Sequence, residues 1–549
     1  MSAPPIPSAE RDAQRRLIRK NGHRGVAGLR GFLILVGLLV LAPGGLVARP
    51  FTVMVYNVEN LHDVDGVAVY EEYQPSLHPP AHVLTKLTNI AAIVARAGSD
   101  GRGPEVILFQ EIEIDHTPGK AAPDYPAILK TYAGTTLERM LGAELNAAIA
   151  DLPAEALLLK ALADRGLVGY TVVVGGDGDG EGEGEGGVGG GLARVGGAPL
   201  ELRGRAAIKN VVFTRFPVRA VRTYPLQSAR NLLEVQLDAD GWPLTVFNAH
   251  WRGGASNANT EPVRVENAGV LRRRLDELLK ADPNADIVIG GDLNSHYNQK
   301  RRSRPGTVTG INDVLGSQGN ELALRGPSRD LYNLWFELAE CERGSDVYAG
   351  EWGTLMHLLV TRGLYDRSGV QYVDNSFAVA RVPGLNADAA GLPMRWSAVG
   401  ALGRGYSDHF PLTARFQTVD DRQPGKFMPL AREAAGHEAE GGAPARKVDL
   451  AQTDFAAAVK LAELPAAADL RDGSWTGKLF QVDAPALDDR LLRVEVRGQV
   501  YEVYGTRKEI RERLYAQRRE SGGRLRFYGE LGTFKGTWQY AVKSVEWVR

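Results

Sequence analysis

The chain has 549 residues, which is too long for one ordinary domain and predicts two or three. Hydrophobic residues make up 44% and charged residues 24%, as in soluble globular proteins, and the formal net charge of −1 excludes a global basic field for nucleic acid or anionic lipid. Any contact with a polyanion must therefore be local. Cys341 is the single cysteine, so an intrachain disulfide is excluded.

The segment of residues 1–48 combines a basic stretch with an apolar one. "RDAQRRLIRKNGHRGVAGLR" is rich in arginine, and "GFLILVGLLVLAPGGLVA" follows it with a short uninterrupted apolar core. This order is typical of a secretory signal peptide and predicts export to the periplasm or the extracellular space. Two alternatives stay open, an uncleaved membrane anchor and a start codon placed too early, although the apolar core is short for a membrane span.

Predicted strands and helices then alternate from residue 51 to residue 416. A strand over Phe51–Tyr56 is followed by helical spacing in "AHVLTKLTNIAAIVARAG", a strand in "PEVILFQEIE" and a long helical stretch ending in "AEALLLKALADRG". Residues 175–191 are almost all glycine and acids, which predicts a flexible acidic loop rather than a calcium-binding repeat. After further strands and a basic helix comes "ADIVIGGDLNSH". This alternation predicts a layered α/β fold in which two sheets pack face to face.

The composition changes after Phe416. Residues 417–469 are rich in Pro, Gly, Ala and charge, which is typical of a linker. Residues 470–549 contain five short predicted strands with a helix, "KEIRERLYAQRR", between the third and the fourth. This order is that of an OB-fold, a small β-barrel, and predicts a domain that binds single-stranded nucleic acid through basic and aromatic residues. The alternative is that the aromatic residues form the core of the domain. They are Tyr501, Tyr504, Phe527, Tyr528 and Trp538.

Polar residues stand at the ends of several predicted strands, where burial without partners is costly. Because residues two apart in an extended chain point the same way, "YNVEN" and "GDLN" each present two polar groups on one side. If these strand ends converge, carboxylates, amides and imidazoles surround one site, which suits a hard divalent cation and phosphodiester hydrolysis. The residues concerned are Asn57, Glu59, Glu111, His250, Asp292, Asn294, Asp408 and His409.

The motifs that carry these residues resemble the ordered motifs of the endonuclease/exonuclease/phosphatase superfamily, which includes DNase I and exonuclease III. They are "YNVENL", "FQE", "NAHWRGG", "GDLNSH" and "YSDHFPL", and they lie within residues 51–416 in the family's order. The resemblance implies an α/β (α+β) fold, a four-layer sandwich of two packed mixed β-sheets flanked by helices. It also implies a metal-dependent hydrolase of phosphate esters.

The resemblance further implies which residues bind the metal. Glu111 is the principal ligand, and Asn57, Glu59 and Asp408 assist it. Mg²⁺ is the first choice of cation, with Mn²⁺ or Ca²⁺ as alternatives.

Four other residues take catalytic roles by the same resemblance. Asp292 orients or deprotonates the attacking water, and Asn294 holds a phosphate oxygen. His409 contacts the transferring phosphoryl group, and His250 lies near the leaving oxygen.

Basic residues follow two of the motifs. Such a run is usually only solvated, but beside a phosphoryl-transfer centre it favours contacts with substrate phosphates. The predicted substrate-binding residues are Arg252, Lys300, Arg301 and Arg302. Within "IVIGGDLNSHYN", the Gly290–Gly291 step is interpreted as a close approach of the backbone to a phosphate, and His296 as a residue of the pocket wall or a loop.

One position departs from the family pattern. Many members carry an aspartate in the penultimate strand that orients the catalytic histidine, and Met356 occupies that point here. Because a thioether sulfur is a weak acceptor, another group must fix the tautomer of His409, or activity is weaker. The first hypothesis is an exported nuclease that cleaves DNA or RNA. The alternatives are a phosphatase or lipid phosphodiesterase on the same fold, and a catalytically weakened nucleic-acid-binding protein.

Overall fold

The computed structural model describes residues 50–549 except for 99–100, 119–121, 176–204, 327–328, 431–444, 473, 488–490 and 535–536. The predicted N-terminal signal of residues 1–48 therefore lies outside the described residues, and so does the predicted acidic loop beyond Gly175. In the part of the chain that the structure describes, no helix is long and apolar enough to cross a membrane.

Most secondary structure lies before residue 430. Its strands are β1 (Pro50–Leu61), β2 (Val106–Glu113), β3 (Thr171–Val174), β4 (Ile208–Thr214), β5 (Val218–Tyr224), β6 (Arg230–Ala239), β7 (Trp242–His250), β8 (Ile287–Asp292), β9 (Ser317–Gln318), β10 (Leu331–Asn333), β11 (Asp346–Tyr348), β12 (Glu351–Gly353), β13 (Met356–Val360), β14 (Asp366–Tyr372), β15 (Ala378–Val379) and β16 (Leu412–Phe427). Its helices are α1 (Pro80–Ala97), α2 (Tyr125–Thr131), α3 (Leu137–Met140), α4 (Ala147–Ala150), α5 (Ala154–Asp164), α6 (Glu261–Ala281) and α7 (Gln299–Arg302).

The strands build two mixed sheets. The first has the order β14-β16-β1-β2-β4-β3, with β15 also paired to β16, and its pair β1–β2 is parallel. The second has the order β5-β6-β7-β8-β13-β10-β9, and its pair β7–β8 is parallel. Strands β11 and β12 form a separate antiparallel pair.

The sheets pack face to face because side chains alternate along each strand. Val53 and Val55 of β1 point into the core between the two sheets. Met54 and Tyr56 point the other way, into a core shared with α1 and α5. On the outer face of the second sheet, Leu271 of α6 packs in a further buried cluster. The layers are helix, sheet, sheet and helix, which confirms the predicted four-layer α/β sandwich.

Sequence periodicity predicts one helix correctly and a second, longer helix incorrectly. Helix α1 was predicted over residues 81–98, and it runs from Pro80 to Ala97 with Gly98 at its C-terminal cap. The long helical stretch predicted before residue 166 is instead broken into α3, α4 and α5. Asn146 breaks it by capping α4, where its Oδ1 accepts from Ala148 N at 3.0 Å, and Pro153 precedes α5.

The C-terminal part contains one sheet. Its elements are β17 (Val459–Lys460), β18 (Leu479–Pro485), β19 (Arg493–Val496), β20 (Gln499–Gly505), α8 (Lys508–Glu520), β21 (Arg524–Phe534) and β22 (Thr537–Val542). The strand order is β17-β18-β21-β22-β20-β19, with β20 and β22 parallel. Between β18 and β19 there is only an isolated bridge from Ala486 to Val494, so the described residues form no closed barrel.

The predicted OB-like barrel is therefore not confirmed, and its role in binding nucleic acid stays a prediction. Three of its aromatic residues, Tyr501, Phe527 and Tyr528, are buried in the core of this sheet, while Tyr504 is exposed. The alternative interpretation, that the aromatic residues form the core, thus accounts for most of them.

The predicted boundary at residue 416 falls inside a strand. Strand β16 continues to Phe427, where it pairs with Asp366 of β14. The predicted linker of residues 417–469 also contacts the first part of the chain, because Trp352 N donates to Arg446 O at 2.8 Å and Val448 N donates to Gly350 O at 2.9 Å. The range of the first domain must therefore extend past residue 416, since the β14–β16 ladder would otherwise be cut.

Candidate active site

The ends of several strands meet at one edge of the sandwich. In the parallel pair β7–β8, His250 lies opposite Asp292, and β13 places Met356 opposite Asp292 on the other side. In the first sheet, β1 carries Asn57 and β2 carries Glu111. The loop before β16 brings the last motif to the same edge. This confirms that the strand-end residues converge although they are far apart in sequence.

Asn57 joins the two sheets at this edge. Its Nδ2 donates to Glu111 Oε1 at 2.9 Å and to Asp292 Oδ2 at 3.1 Å, and its Oδ1 accepts from Glu59 N at 3.0 Å. The side chain is fully buried. Because one amide holds two carboxylates in place, Asn57 fixes the distance between the principal predicted metal ligand and the predicted base.

Asp292 lies at the centre of the site. Its Oδ1 accepts from Asn294 N at 2.9 Å, and Asn294 in turn donates from Nδ2 to Trp251 O at 3.1 Å. Burial raises the pKa of the Asp292 carboxyl, against the lowering effect of His409. A buried carboxylate with a raised pKa is suited to accept a proton, which agrees with its predicted role as the base.

The two histidines approach the same carboxylate oxygen. His250 Nε2 lies 3.8 Å from Asp292 Oδ2 and 3.9 Å from Glu111 Oε1, and His409 Nε2 lies 3.6 Å from Asp292 Oδ2. Burial lowers the pKa of His250 well below its usual value, so this imidazole is neutral at pH 7. Burial also lowers the pKa of His409, but Asp408, Asp292 and other nearby carboxylates outweigh it and raise the value to about 9. The two rings therefore carry different charges at neutral pH.

Left-handed backbone is concentrated at this edge. Glu59, Asn60, Glu111 and Asn294 have φ angles of 54°, 58°, 64° and 46°, a region that residues with a Cβ seldom adopt. At Glu111 this backbone interrupts the ladder between β1 and β2, because the register shifts between Asn57 and Leu61. The irregularity turns Glu111 Oε1 toward the Asn57 amide.

Glu59 and Asp408 form a second group beside this centre. Arg395 donates to Glu59 Oε1 from Nε at 3.0 Å and from Nη2 at 2.8 Å, and Trp396 N donates to Glu59 Oε2 at 2.8 Å. The same guanidinium lies 3.4 Å from Asp408 Oδ2. Glu59, predicted as an assisting metal ligand, is therefore bound by an arginine, and its role as a metal ligand stays a prediction.

Lys86 supports the strained segment of β1. Its buried Nζ donates to Asn60 O at 3.0 Å and also to Glu59 O, and it lies 5.2 Å from the centroid of the Trp396 ring. Burial lowers the pKa of Lys86 to about 8, and the nearby carboxylates oppose that shift. At neutral pH it remains a buried cation beside the acids. Sequence patterns did not identify Lys86 or Arg395, because neither lies in one of the five motifs.

The remaining donors fit a hard cation. Glu111 Oε1 and Asp292 Oδ2 are held by one amide, and the groups around them are oxygen and imidazole nitrogen donors, without thiolate. The Nδ1 atoms of His250 and His409 are buried and make no hydrogen bond to the described residues. The site thus has the donor chemistry for Mg²⁺ or Mn²⁺ at Glu111.

The predicted substrate-binding residues are not assembled as one basic surface. Residues 299–302 form the single turn α7 rather than a loop. The Lys300 ammonium pairs with the carboxylate of Asp313, and Arg302 Nε donates to Asn298 Oδ1 at 3.0 Å. Arg252 follows His250 and Trp251 directly, and its backbone N donates to Asn267 at 3.2 Å. These contacts favour a structural role for Lys300 and Arg302. Arg252 is close to the centre in the sequence, because it follows His250 by two residues.

The glycines of "IVIGGDLN" serve packing rather than phosphate binding. A Cβ at Gly290 would lie 2.5 Å from Leu108 Cδ1 and 2.7 Å from Val55 Cγ2, both in the opposite sheet. A Cβ at Gly291, whose φ is 144°, would lie 1.9 Å from Ala249 O. The interpretation of this step as a phosphate approach is therefore wrong, since both missing side chains face the protein interior.

A further carboxylate approaches His409. Met356, which stands where the family pattern has an aspartate, is fully buried opposite Asp292. Asp346, at the start of β11, forms a backbone bridge with His409, and its charge raises the pKa of that histidine. Asp346 Oδ1 is held by Leu355 N at 3.3 Å and by the Ser345 hydroxyl at 3.1 Å. Asp346 thus supplies a negative charge beside His409 from a different strand.

A comparison of the chain with protein families finds one match. Residues 208–418 match the family model described as the Endonuclease/Exonuclease/phosphatase family. This range contains His250, Asp292, Asn294 and His409, and Asn57 precedes it. Over these residues, the match confirms the resemblance of the motifs to that family.

Solved structures that are similar to this chain have low sequence identity to it. TDP2 from C. elegans is 13% identical, covers 67% of this chain and 75% of its own, and has a TM-score of 0.32. A family protein from Leptotrichia buccalis is 12% identical, with 66% and 98% covered and a TM-score of 0.36. The human Nocturnin catalytic domain is 11% identical, with 67% and 96% covered and a TM-score of 0.32. No curated protein matches the chain.

Proposed function

We propose that the protein is a metal-dependent phosphodiester hydrolase that cleaves nucleic acid. The observation that carries this proposal is the buried Asn57 amide, which holds Glu111 beside Asp292, and the Asp292 carboxylate lies within 4 Å of a neutral and a charged imidazole. A base, a cationic hydrogen-bond donor and an acidic metal ligand are the groups that hydrolysis of a phosphate diester requires.

Each residue of the centre has a distinct task. Asp292, with its raised pKa, accepts the proton of the attacking water. His409 is an imidazolium at neutral pH and stabilises the negative charge that develops on the phosphoryl oxygens. His250 is neutral and lies on the other side of Asp292, where it can serve the leaving oxygen. Asn294 lies beside Asp292, and its task is to bind a phosphate oxygen of the substrate.

Glu111, supported by Asn57, would hold the divalent cation, with Mg²⁺ as the first choice. When bound, the cation neutralises phosphate charge and polarises the phosphoryl group. The Asp408 side chain is about a third exposed and lies next to the Arg395 guanidinium. Glu59 binds the same guanidinium and holds it in place.

The substrate and the location are finer proposals. A nucleic-acid substrate is supported by the family description, which names endonucleases and exonucleases, and by the basic residue Arg252, two positions after His250. The family description also names phosphatases, so a phosphatase or lipid phosphodiesterase is the second candidate. Export rests on the sequence of residues 1–48 alone. Fractionation of the producing cells, with an activity assay of the medium and the periplasm, tests export directly.

The test compares hydrolysis of plasmid DNA, single-stranded DNA, RNA, bis-p-nitrophenyl phosphate and p-nitrophenyl phosphate, each with Mg²⁺, Mn²⁺ or EDTA. We expect cleavage of the diesters only with metal, and a loss of about 100-fold or more in Asp292→Ala and His409→Ala. Asp238→Asn is the control, because this acid lies at the far end of β6 from the site. Equal activity in Asp292→Ala would sink the assignment, and hydrolysis of the monoester alone would establish the phosphatase instead.

A further inference from the structure

Three carboxylates come together outside the candidate active site. Glu321, Glu337 and Asp374 each offer an oxygen, and these oxygens all lie within 4.8 Å of one another. The three residues come from separate turns, which follow β9, β10 and β14. The two glutamates are buried and the aspartate is half-buried. The fold therefore brings three acids from distant parts of the sequence to one point.

This cluster lies at the other end of the sandwich from Asp292. Strand β13 places Met356 opposite Asp292 and Val360 opposite Tyr332 of β10. These two points are four residues apart along β13, which corresponds to about 13 Å. Tyr332 belongs to the same cluster as the three acids. The cluster is therefore a site separate from the candidate active site around Asp292.

Tyrosine hydroxyls surround the cluster. Tyr365 donates to Glu321 Oε1 at 2.9 Å, and Tyr372 donates to Glu337 Oε2 at 2.6 Å. Donation by Tyr372 lowers the pKa of the Glu337 carboxyl, but burial outweighs it and raises the value to about 8, so a cation that binds there displaces a proton near neutral pH. The rings of Tyr365 and Tyr372 are also close to each other, with centroids 5.8 Å apart.

The third tyrosine supplies an independent observation. Tyr332 is fully buried, and its hydroxyl makes no hydrogen bond to the described residues. The Tyr332 ring centroid lies 6.1 Å from that of Tyr365, whose hydroxyl contacts Glu321, and burial together with the charges of the three acids raises the pKa of the Tyr332 hydroxyl. A buried hydroxyl without a partner loses the free energy of a hydrogen bond, about 1–3 kcal/mol, unless a ligand contacts its oxygen.

The chemistry of the cluster selects the ligand. Carboxylate and phenolic oxygens are hard donors, and each carboxylate can offer two oxygens. Mg²⁺ keeps several waters in a strict octahedron, whereas Ca²⁺ accepts more protein oxygens in a flexible geometry. In a buried pocket lined by three acids and tyrosine rings, the protein supplies most of the ligands, which favours Ca²⁺.

We propose that Glu321, Glu337 and Asp374, together with the Tyr332 hydroxyl, form a structural Ca²⁺ site between the two sheets. Tyr332 belongs to β10 of the second sheet and Tyr372 to β14 of the first, and both lie in the core between the sheets. A cation here links the sheets at the end opposite the candidate active site. Its effect is on stability, and it does not depend on the proposed hydrolase function.

The test measures Ca²⁺ binding by the full chain after EDTA treatment and dialysis. Glu111→Gln serves as the background, because it removes the acid predicted to bind a cation in the candidate active site. Equilibrium dialysis with radioactive Ca²⁺ then counts the ions, and thermal unfolding is followed with and without Ca²⁺. We expect one Ca²⁺ per chain and a Ca²⁺-dependent rise of the unfolding midpoint, with a smaller rise for Mg²⁺.

Variants within this background assign the ion to the cluster. Glu337→Gln keeps the shape of the side chain and should abolish Ca²⁺ binding, and Tyr332→Phe removes only the hydroxyl and should weaken binding about tenfold. Glu342→Gln, an exposed acid in the following turn, should leave binding unchanged. The proposal is overturned if the Glu111→Gln protein binds no Ca²⁺, which would mean that protons neutralise the cluster, or if Glu337→Gln and Tyr332→Phe both bind Ca²⁺ as tightly as their parent.

Discussion

Acid should destabilise this protein through His357, the residue that follows Met356 in β13. The imidazole is fully buried between two fixed partners. Its Nε2–H donates to Ser295 O at 2.8 Å, and its Nδ1 accepts from Asn333 Nδ2 at 3.1 Å. Protonation would place a second N–H against the Asn333 amide N–H. Because Ser295 follows Asn294 directly, the neutral form of His357 also holds the loop that carries a predicted phosphate ligand.

The size of the effect follows from the pKa of His357, which burial lowers from 6.5 to about 4. Below pH 6.5 the unfolded chain binds a proton at this position, whereas the folded protein binds it only below about pH 4. In that window the unfolded state binds more protons, so the free energy of unfolding decreases as the pH falls. At about 1.4 kcal/mol for each pH unit of the difference, the full loss is about 3 kcal/mol.

Chemical denaturation at pH 7 and at pH 4.5 measures this loss, with His357→Gln as the comparison. Glutamine retains a donor and an acceptor but does not titrate. We expect the wild type to lose about 2 kcal/mol more than the variant between the two pH values, because most of the window is then crossed. An equal loss in both proteins would refute the reasoning, since His357 would then bind its proton equally in the folded and the unfolded state.

Two further substitutions test the surroundings of the site. Asp346→Asn removes a charge that raises the pKa of His409, so the alkaline limb of the kcat/KM profile should move to lower pH, while an unmoved limb would assign Asp346 a purely structural role. Gly290→Ala places a methyl group 2.5 Å from Leu108 Cδ1 and should lower the free energy of unfolding by about 1–3 kcal/mol. Urea denaturation measures it, and an unchanged midpoint would show that the sheets can separate at this point.

The convergence of the strand ends could be predicted from the sequence because it follows from topology. Parallel neighbours such as β7 and β8 present their carboxyl ends at the same edge, so His250 and Asp292 had to lie side by side. The near-continuous apolar run of β1 likewise specifies a strand buried on both faces. Patterns of this kind are local, and they therefore remain visible in a single sequence.

The parts that could not be predicted depend on contacts between distant residues. Arg395 reaches Glu59 across 336 positions, and no spacing rule connects them. Asp346, at the start of β11, lies beside His409 because the two residues form a backbone bridge. No periodicity in the sequence indicates this contact. The sequence indicated that another group must act on His409 in place of the aspartate missing at Met356, and the fold was needed to show that Asp346 contributes its charge there.

The charge distribution explains why the acids at this edge divide into two groups. Four carboxylates that all remained ionised within one buried edge would repel one another strongly. Arg395 binds Glu59 and lies beside Asp408, and Lys86 adds a second buried positive charge, so this pair is neutralised by the protein itself. The pair formed by Glu111 and Asp292 is held by an uncharged amide instead. The protein thus leaves negative charge where Asn57 joins the two sheets, and under the proposed function a divalent cation would be attracted to Glu111 rather than to Glu59.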